Sequence, residues 1–168
     1  MEMKEALNVA LEYEKKGHKL YSEATNNTKN PVVAKTFKYL ADQELIHIEE
    51  INEYIEQLDN GHKVEPKGDT VEETKNFFST TTHEFKEKTE LSEDDIKVHE
   101  LGMELEQKAY DFYKEQYNTT KDEEAKKFFK FLMEQENVHY ELIRKAYDYI
   151  KDPVGFYSEE EGWSLDGG

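Results

Sequence analysis

The sequence predicts an all-α fold, a four-helix bundle made of two duplicated helical hairpins joined by a long crossover. Three observations predict it. Apolar residues recur every three to four positions over long stretches, only 3 prolines interrupt 168 residues, and the chain repeats itself. Residues 13–51 slide onto 105–143 at an offset of 92, without gaps, with 16 identities in 39 positions. They include Glu14/Glu106, Tyr21/Tyr113, Phe37/Phe129, Gln43/Gln135, Glu44/Glu136, His47/His139 and Ile51/Ile143. Two copies of one hairpin pair with approximate twofold symmetry as a bundle.

Punctuation residues divide the helices. The first spans about Glu2 to Asn26. Asn30-Pro31 then supplies an N-cap and a first-turn proline for the second, which ends near Asn60-Gly61. A third long helix starts after Ser92, whose side chain caps the turn ahead of Asp95. The fourth starts at Thr120, with Glu123 completing a capping-box pattern. Both intra-pair loops are short, so each pair packs antiparallel. The crossover, about residues 61–92, is too long for a turn and carries a short helix around 71–88, capped by Thr70 with Glu73. Asp152-Pro153 stops the fourth helix. The expected organisation is a bundle domain over residues 1–150 and a C-terminal tail over 151–168, with Trp163, Phe156 and Tyr157 clamping the tail onto the bundle or a second subunit.

Length and charge exclude several classes. A chain of 168 residues fits one domain able to bury about 70% of its unfolded surface. A net charge of -17 repels nucleic acid and anionic lipid and draws cations, so neither nucleic acid nor membrane is expected as a partner. Mean hydropathy is -1.00, yet 12% of residues are aromatic, which argues against disorder. No long uncharged apolar run or signal core is present, and a cytoplasmic location is expected. With 0 Cys, any metal must rest on His and carboxylate ligands.

The apolar stripes are interrupted at matching places. The second helix reads Val33, Phe37, Leu40, Glu44, His47, Ile51, Leu58, and the fourth reads Phe129, Leu132, Glu136, His139, Ile143. The first and third each carry one acid, Glu14 in Met3, Leu7, Ala10, Glu14, Gly17, Tyr21, and Glu106 in His99, Gly102, Glu106, Ala109, Tyr113. Burying a carboxylate alone costs several kcal/mol. Residues three apart share a helix face, so each Glu-x-x-His can offer an oxygen and a nitrogen to one ion. Four glutamates and two histidines suit two divalent ions, whose charge balances the four carboxylates. Mixed oxygen and nitrogen donors favour iron or manganese, and zinc binds such sets as well.

Gly17 and Gly102 each cost about 1 kcal/mol inside a helix, explained equally by space for a small oxidant or by close packing. Tyr21 and Tyr113 lie two turns beyond the single acids, within reach of a ligand carboxylate on a neighbouring helix; filling the core is the alternative. His99 reads as a core histidine, and His18, His62 and His83 as solvent-facing. Acidic runs such as 159–161 read as solvated surface.

LEYEKKGHKLYSEA, YLADQELIHIEEI and FLMEQENVHYELI resemble the diiron hairpins of the rubrerythrin branch of the ferritin-like superfamily, over residues 1–150. The tail is similar to endings of single-domain members. The resemblance implies a ferritin-like bundle with two iron ions, Glu14 and Glu106 as terminal ligands, Glu44 and Glu136 bridging, and His47 and His139 completing the two spheres. It also implies reduction of hydrogen peroxide with electrons from a small iron protein, or oxidation of ferrous iron. Peroxidase members carry an extra Glu one turn after the acid of the third helix, where this chain has Ala109, and full-length members append a rubredoxin domain with four cysteines. An external donor such as a rubredoxin-like protein is therefore expected, acting with peroxide or dioxygen. Two rivals stand beside this reading: an iron-handling ferroxidase, and a non-catalytic bundle stapled by metal. A homodimer, with helices exchanged through the crossover, is the expected assembly.

Overall fold

Five helices carry the chain: α1 (Met3–Asn27), α2 (Pro31–Asn60), α3 (Val71–Glu84), α4 (Glu93–Thr119) and α5 (Glu123–Lys151). The computed structural model describes residues 2–60, 71–85, 90–153 and 155–156. α1 packs chiefly against α2 and α4 against α5, the two hairpins meet mainly through α1 and α4, and α3 lies over α5 and α2. The fold is therefore all-α, with the hairpin pairing of a ferritin-like bundle. No described helix is long and apolar enough to cross a membrane.

Local chemistry sets the helix ends. Asn30 Oδ1 accepts from the Val32 and Val33 backbone N–H groups, at 2.9 and 3.2 Å, and so caps α2 one residue before Pro31. Ser92 and Asp95 form a reciprocal capping box at the start of α4. The same Asp95 accepts a hydrogen bond from Thr28 Oγ1 at 2.6 Å, which ties the α1–α2 turn to the head of α4.

The start of α5 corrects the sequence reading. Its N-cap is Asp122, whose carboxylate accepts from Glu124 N–H at 3.0 Å, while Thr120 is the C-cap of α4. Thr120 Oγ1 instead accepts from Asp122 N–H. An Asp at Ncap meets the orphan amides at least as well as Thr, and the repeat offset places Asp122 opposite Asn30. The short helix ends at Glu84, before the expected 88; Thr70, His62, Tyr157 and Trp163 lie outside the described residues. Phe156 is buried against Phe78 and Tyr149, so the tail is clamped at that point.

The predicted stripes are the core. Leu7, Val33, Phe37, Leu40, Ile51, Phe129, Leu132 and Ile143 are fully buried, whereas Leu58 is half-buried. The apolar residues fall into two clusters, one around Phe37, Leu40 and Ile143, the other around Leu7, Ile51 and Phe129. A polar layer separates them. Each fully buried large side chain contributes about 1.5–3 kcal/mol, and together they offset the cost of that layer.

Candidate metal centre

The polar layer consists of Glu14, Glu44, His47, Glu106, Glu136 and His139, all at most 2% exposed. Each sits on an apolar helix stripe, so packing of the flanking residues forces it inward. Two groups of four have donor atoms within 4.8 Å of one another: Glu14, Glu44, His47 and Glu136, and Glu44, Glu106, Glu136 and His139. Glu44 and Glu136 belong to both. The histidine rings stack at 5.2 Å between centroids, with 14° between their planes. His47 Nδ1 lies 3.2 Å from Glu14 and 3.8 Å from Glu136; His139 Nδ1 lies 3.4 Å from Glu44 and 3.7 Å from Glu106. The repeat in the sequence thus becomes a twofold pattern of donors.

The electrostatics follow the same symmetry. Burial, reinforced by the charges of Glu14 and Glu106, holds Glu44 well above the usual carboxyl range. Burial and the same two charges do so for Glu136. Burial also pushes Glu14 upward, but the hydrogen bond with Glu44 and the charge and hydrogen bond of His47 outweigh it and leave Glu14 below the ordinary range. Glu106 is lowered against its burial by hydrogen bonds with Glu136, His139 and Tyr21. Each half of the metal-free layer therefore pairs an acid lowered below the ordinary range with one raised above it.

These residues fit a pair of cations. Glu44 Oε1, Glu106 Oε2 and Glu136 Oε1 are buried without an N–H or O–H donor among the described residues. Without a cation, shared protons alone make such a layer tolerable. Oxygen and imidazole donors are the set preferred by iron and manganese, and zinc accepts it too.

Around the layer, Tyr21 donates to Glu106 Oε1 at 2.5 Å and Tyr113 donates to Glu14 Oε1 at 2.7 Å. Each tyrosine thus reaches the single acid of the opposite hairpin. Burial and the surrounding carboxylate charges raise both phenols well above their ordinary value, so both remain donors. A hydrogen bond to a charged group contributes about 1.5–3 kcal/mol. Tyr21→Phe is accordingly expected to lower the unfolding free energy of the metal-free protein by about 2 kcal/mol in urea titrations. A change of only a few tenths would assign Tyr21 to core filling.

Sequence reasoning missed Gln135. It is buried, and its Oε1 lies 3.4 Å from His47 Nε2. An Nε2–H donated there leaves Nδ1 facing the carboxylates. The identity Gln43/Gln135 in the repeat was the available signal. His18 also departs from expectation: it is half-buried, and its Nδ1 lies 3.1 Å from the Ala41 carbonyl, linking α1 to α2. His83 is exposed, and His99 is a fully buried core histidine outside both donor groups.

The two glycines are explained by close packing. A Cβ on Gly17 would lie 3.1 Å from Glu44 Cδ, and one on Gly102 would lie 3.1 Å from Ile143 Cδ1 and 3.3 Å from Tyr21 Cε1. A narrow gap, too tight to hold a water molecule, reaches the carboxylates between Tyr13, Gly17, Leu105 and Ala109. Tyr13 and Leu105 are partly exposed, so the gap faces solvent at its outer end. Ala109 stands on its wall.

A four-helix bundle with two overlapping buried donor sets, joined by two shared glutamates, defines a carboxylate-rich protein built for a dinuclear metal centre. The rubrerythrin family model matches residues 5–147, and the chain belongs to that family. No curated protein and no solved structure matches it.

Proposed function

We propose that this chain is a non-haem diiron oxidoreductase that reduces hydrogen peroxide or dioxygen with ferrous iron or with electrons from a separate one-electron donor. The observation that carries this reading is the sharing of Glu44 and Glu136 between two four-donor groups, which suits a bridged pair of ions. Glu14 and His47 would complete one ion, Glu106 and His139 the other. Bound iron would supply the redox chemistry. The chain's own residues hold and orient it. Tyr21 and Tyr113 fix the rotamers of Glu106 and Glu14, Gln135 orients the His47 ring, and the apolar clusters on either side exclude bulk water. The narrow crevice beside Gly17 and Ala109 touches all four carboxylates, and a small oxidant would reach them there on local opening of the helix pair.

Stopped-flow mixing of the anaerobic diferrous protein with peroxide is expected to give rapid ferric absorption. Oxidation no faster than that of free ferrous iron would overturn the proposal.

Ala109 favours one variant of this reading. It places a methyl group on the wall of the gap where peroxidase relatives are expected to carry a further Glu, so iron handling, in which ferrous ions are oxidised and then stored or passed on, is the alternative function. Uptake of many irons per chain would support that alternative, whereas saturation at two would support catalysis. The homodimer belongs to the same proposal and is checked by sedimentation.

A further inference from the structure

We propose that four rings in contact, Tyr21, Phe37, His99 and Tyr147, form the path by which electrons from a soluble one-electron donor reach the metal pair from the bundle surface. The inference deepens the proposed function and rests on it in one respect, that the bound ions are redox-active.

Each ring comes from a different helix: Tyr21 from α1, Phe37 from α2, His99 from α4 and Tyr147 from α5. The inner end is the hydrogen bond from Tyr21 to Glu106. Successive centroids then lie 5.5 Å (Tyr21–Phe37), 5.0 Å (Phe37–His99) and 5.1 Å (His99–Tyr147) apart. The outer end, Tyr147, is partly exposed, with the Lys151 ammonium 4.5 Å from its ring centre. Electron tunnelling weakens steeply across non-conjugated gaps, and π systems in edge contact narrow them. The column therefore connects the carboxylate layer to solvent without a wide aliphatic break.

His99 is the residue that packing does not explain. It is fully buried; its Nδ1 lies 2.6 Å from the Asp95 carbonyl, and its Nε2 has no hydrogen-bond partner among the described residues. A buried unsatisfied nitrogen costs about 1–3 kcal/mol. The internal repeat supplies the comparison. At the offset of 92, Tyr21 and Phe37 match Tyr113 and Phe129, but His99 matches Leu7 and Tyr147 matches Ile55. Leu7 is fully buried, so an aliphatic side chain fills this position well in the other half. In the other half the rings run Tyr113, Phe129, Phe128 and Tyr54, with centroids 6.3, 6.3 and 4.3 Å apart, and end on a buried tyrosine; only the run through His99 ends on a partly exposed one. A further aromatic run, Tyr113–Phe112–Tyr13, leaves the layer on the side of the narrow gap, with centroids 5.8 and 5.7 Å apart. It lies against the oxidant's approach.

In each transfer one electron leaves the donor and one ferric ion becomes ferrous. No bond forms or breaks along the column, and the phenolic proton of Tyr21 stays in its hydrogen bond to Glu106.

The absence of cysteine gives a clean test. Lys151→Cys provides one attachment point for a photoreducible ruthenium–bipyridyl label beside Tyr147. In the iron-loaded, labelled protein, flash photoreduction is followed by loss of ferric absorption, with neither peroxide nor dioxygen present. His99→Leu and Tyr147→Ile, which copy the other half of the repeat, are each expected to slow transfer by at least an order of magnitude. His99→Phe should keep most of the rate, and Phe112→Leu should leave it unchanged. Iron content and melting temperature establish that each variant is folded and loaded. Equal rates in wild type, His99→Leu and Tyr147→Ile would overturn the path, as would slowing by Phe112→Leu alone. Efficient transfer in a protein that does not consume peroxide or dioxygen would overturn the proposed function and leave the path standing. The converse, oxidant consumption with transfer indifferent to His99, would overturn the path alone.

Discussion

Replacing Glu44 with alanine is expected to abolish tight binding of both metal ions, whereas replacing Glu14 should abolish one and spare the other. The difference follows from membership of the two donor groups. Glu44 belongs to both, so its loss leaves neither with four donors; Glu14 belongs to one, and the group of Glu44, Glu106, Glu136 and His139 stays whole. Glu136→Ala should behave like Glu44→Ala, and Glu106→Ala like Glu14→Ala. Loss of an outer hydrogen-bonding partner alone costs 10–100-fold in metal affinity, so removal of a shared ligand is expected to cost more than about 100-fold. Chelator-competition titrations with ferrous or zinc ions read the stoichiometry directly. Thermal melts give a second reading, because a ligand at 100 times its Kd stabilises by about 2.7 kcal/mol. That metal-dependent rise in Tm should vanish in Glu44→Ala and be reduced in Glu14→Ala. Equal stoichiometries in the two variants would refute shared ligation by Glu44.

Much of this centre is legible in the sequence because burial and helical period act together. Glu44 and His47 sit where Leu40 and Ile51 demand an inward face, and the copy at Glu136 and His139 rules out accident. Asn30-Pro31 marked the start of α2 for an equally local reason. At α5 two local signals competed, and the pattern from Thr120 to Glu123 concealed Asp122, which the repeat had aligned with Asn30. What escaped sequence reasoning depends on the angle between helices. The 2.5 Å contact of Tyr21 with Glu106, the contact of Gln135 with His47 and the ring column through His99 each join residues from different helices. Period alone shows which way a side chain faces, not which partner it meets. The glycines illustrate the same limit: the cost of Gly17 was readable, but its cause is a carboxylate on α2 that presses against α1.

The metal-free protein is expected to be most stable at mildly acid pH and to lose stability as the solution becomes alkaline, while the metal-loaded protein resists that loss. Glu44 and Glu136 hold protons in the fold that they release on unfolding once the pH exceeds the ordinary glutamate value of 4.5. Their contribution is complete below that value and is lost as the pH rises towards their raised values in the fold. Glu14 and Glu106 act with the opposite sign: their contribution is present above 4.5 and is lost as the pH falls through their lowered values. Each pKa unit corresponds to about 1.4 kcal/mol, against a total stability of about 5–15 kcal/mol for a typical domain, so the alkaline loss will be visible in Tm. A cation pair replaces the two protons and removes the repulsion. Metal affinity should therefore rise with pH, with release of about two protons per chain on loading, measurable in weakly buffered dye titrations. The double variant Glu44→Gln, Glu136→Gln separates the two effects. Its amides donate to Glu14 and Glu106 without a titratable proton, so the variant should lack the alkaline fall in Tm and should no longer bind the metal pair. A metal-free wild type whose Tm stays flat from mildly acid to alkaline pH would show that the four carboxylates do not share protons in the buried layer.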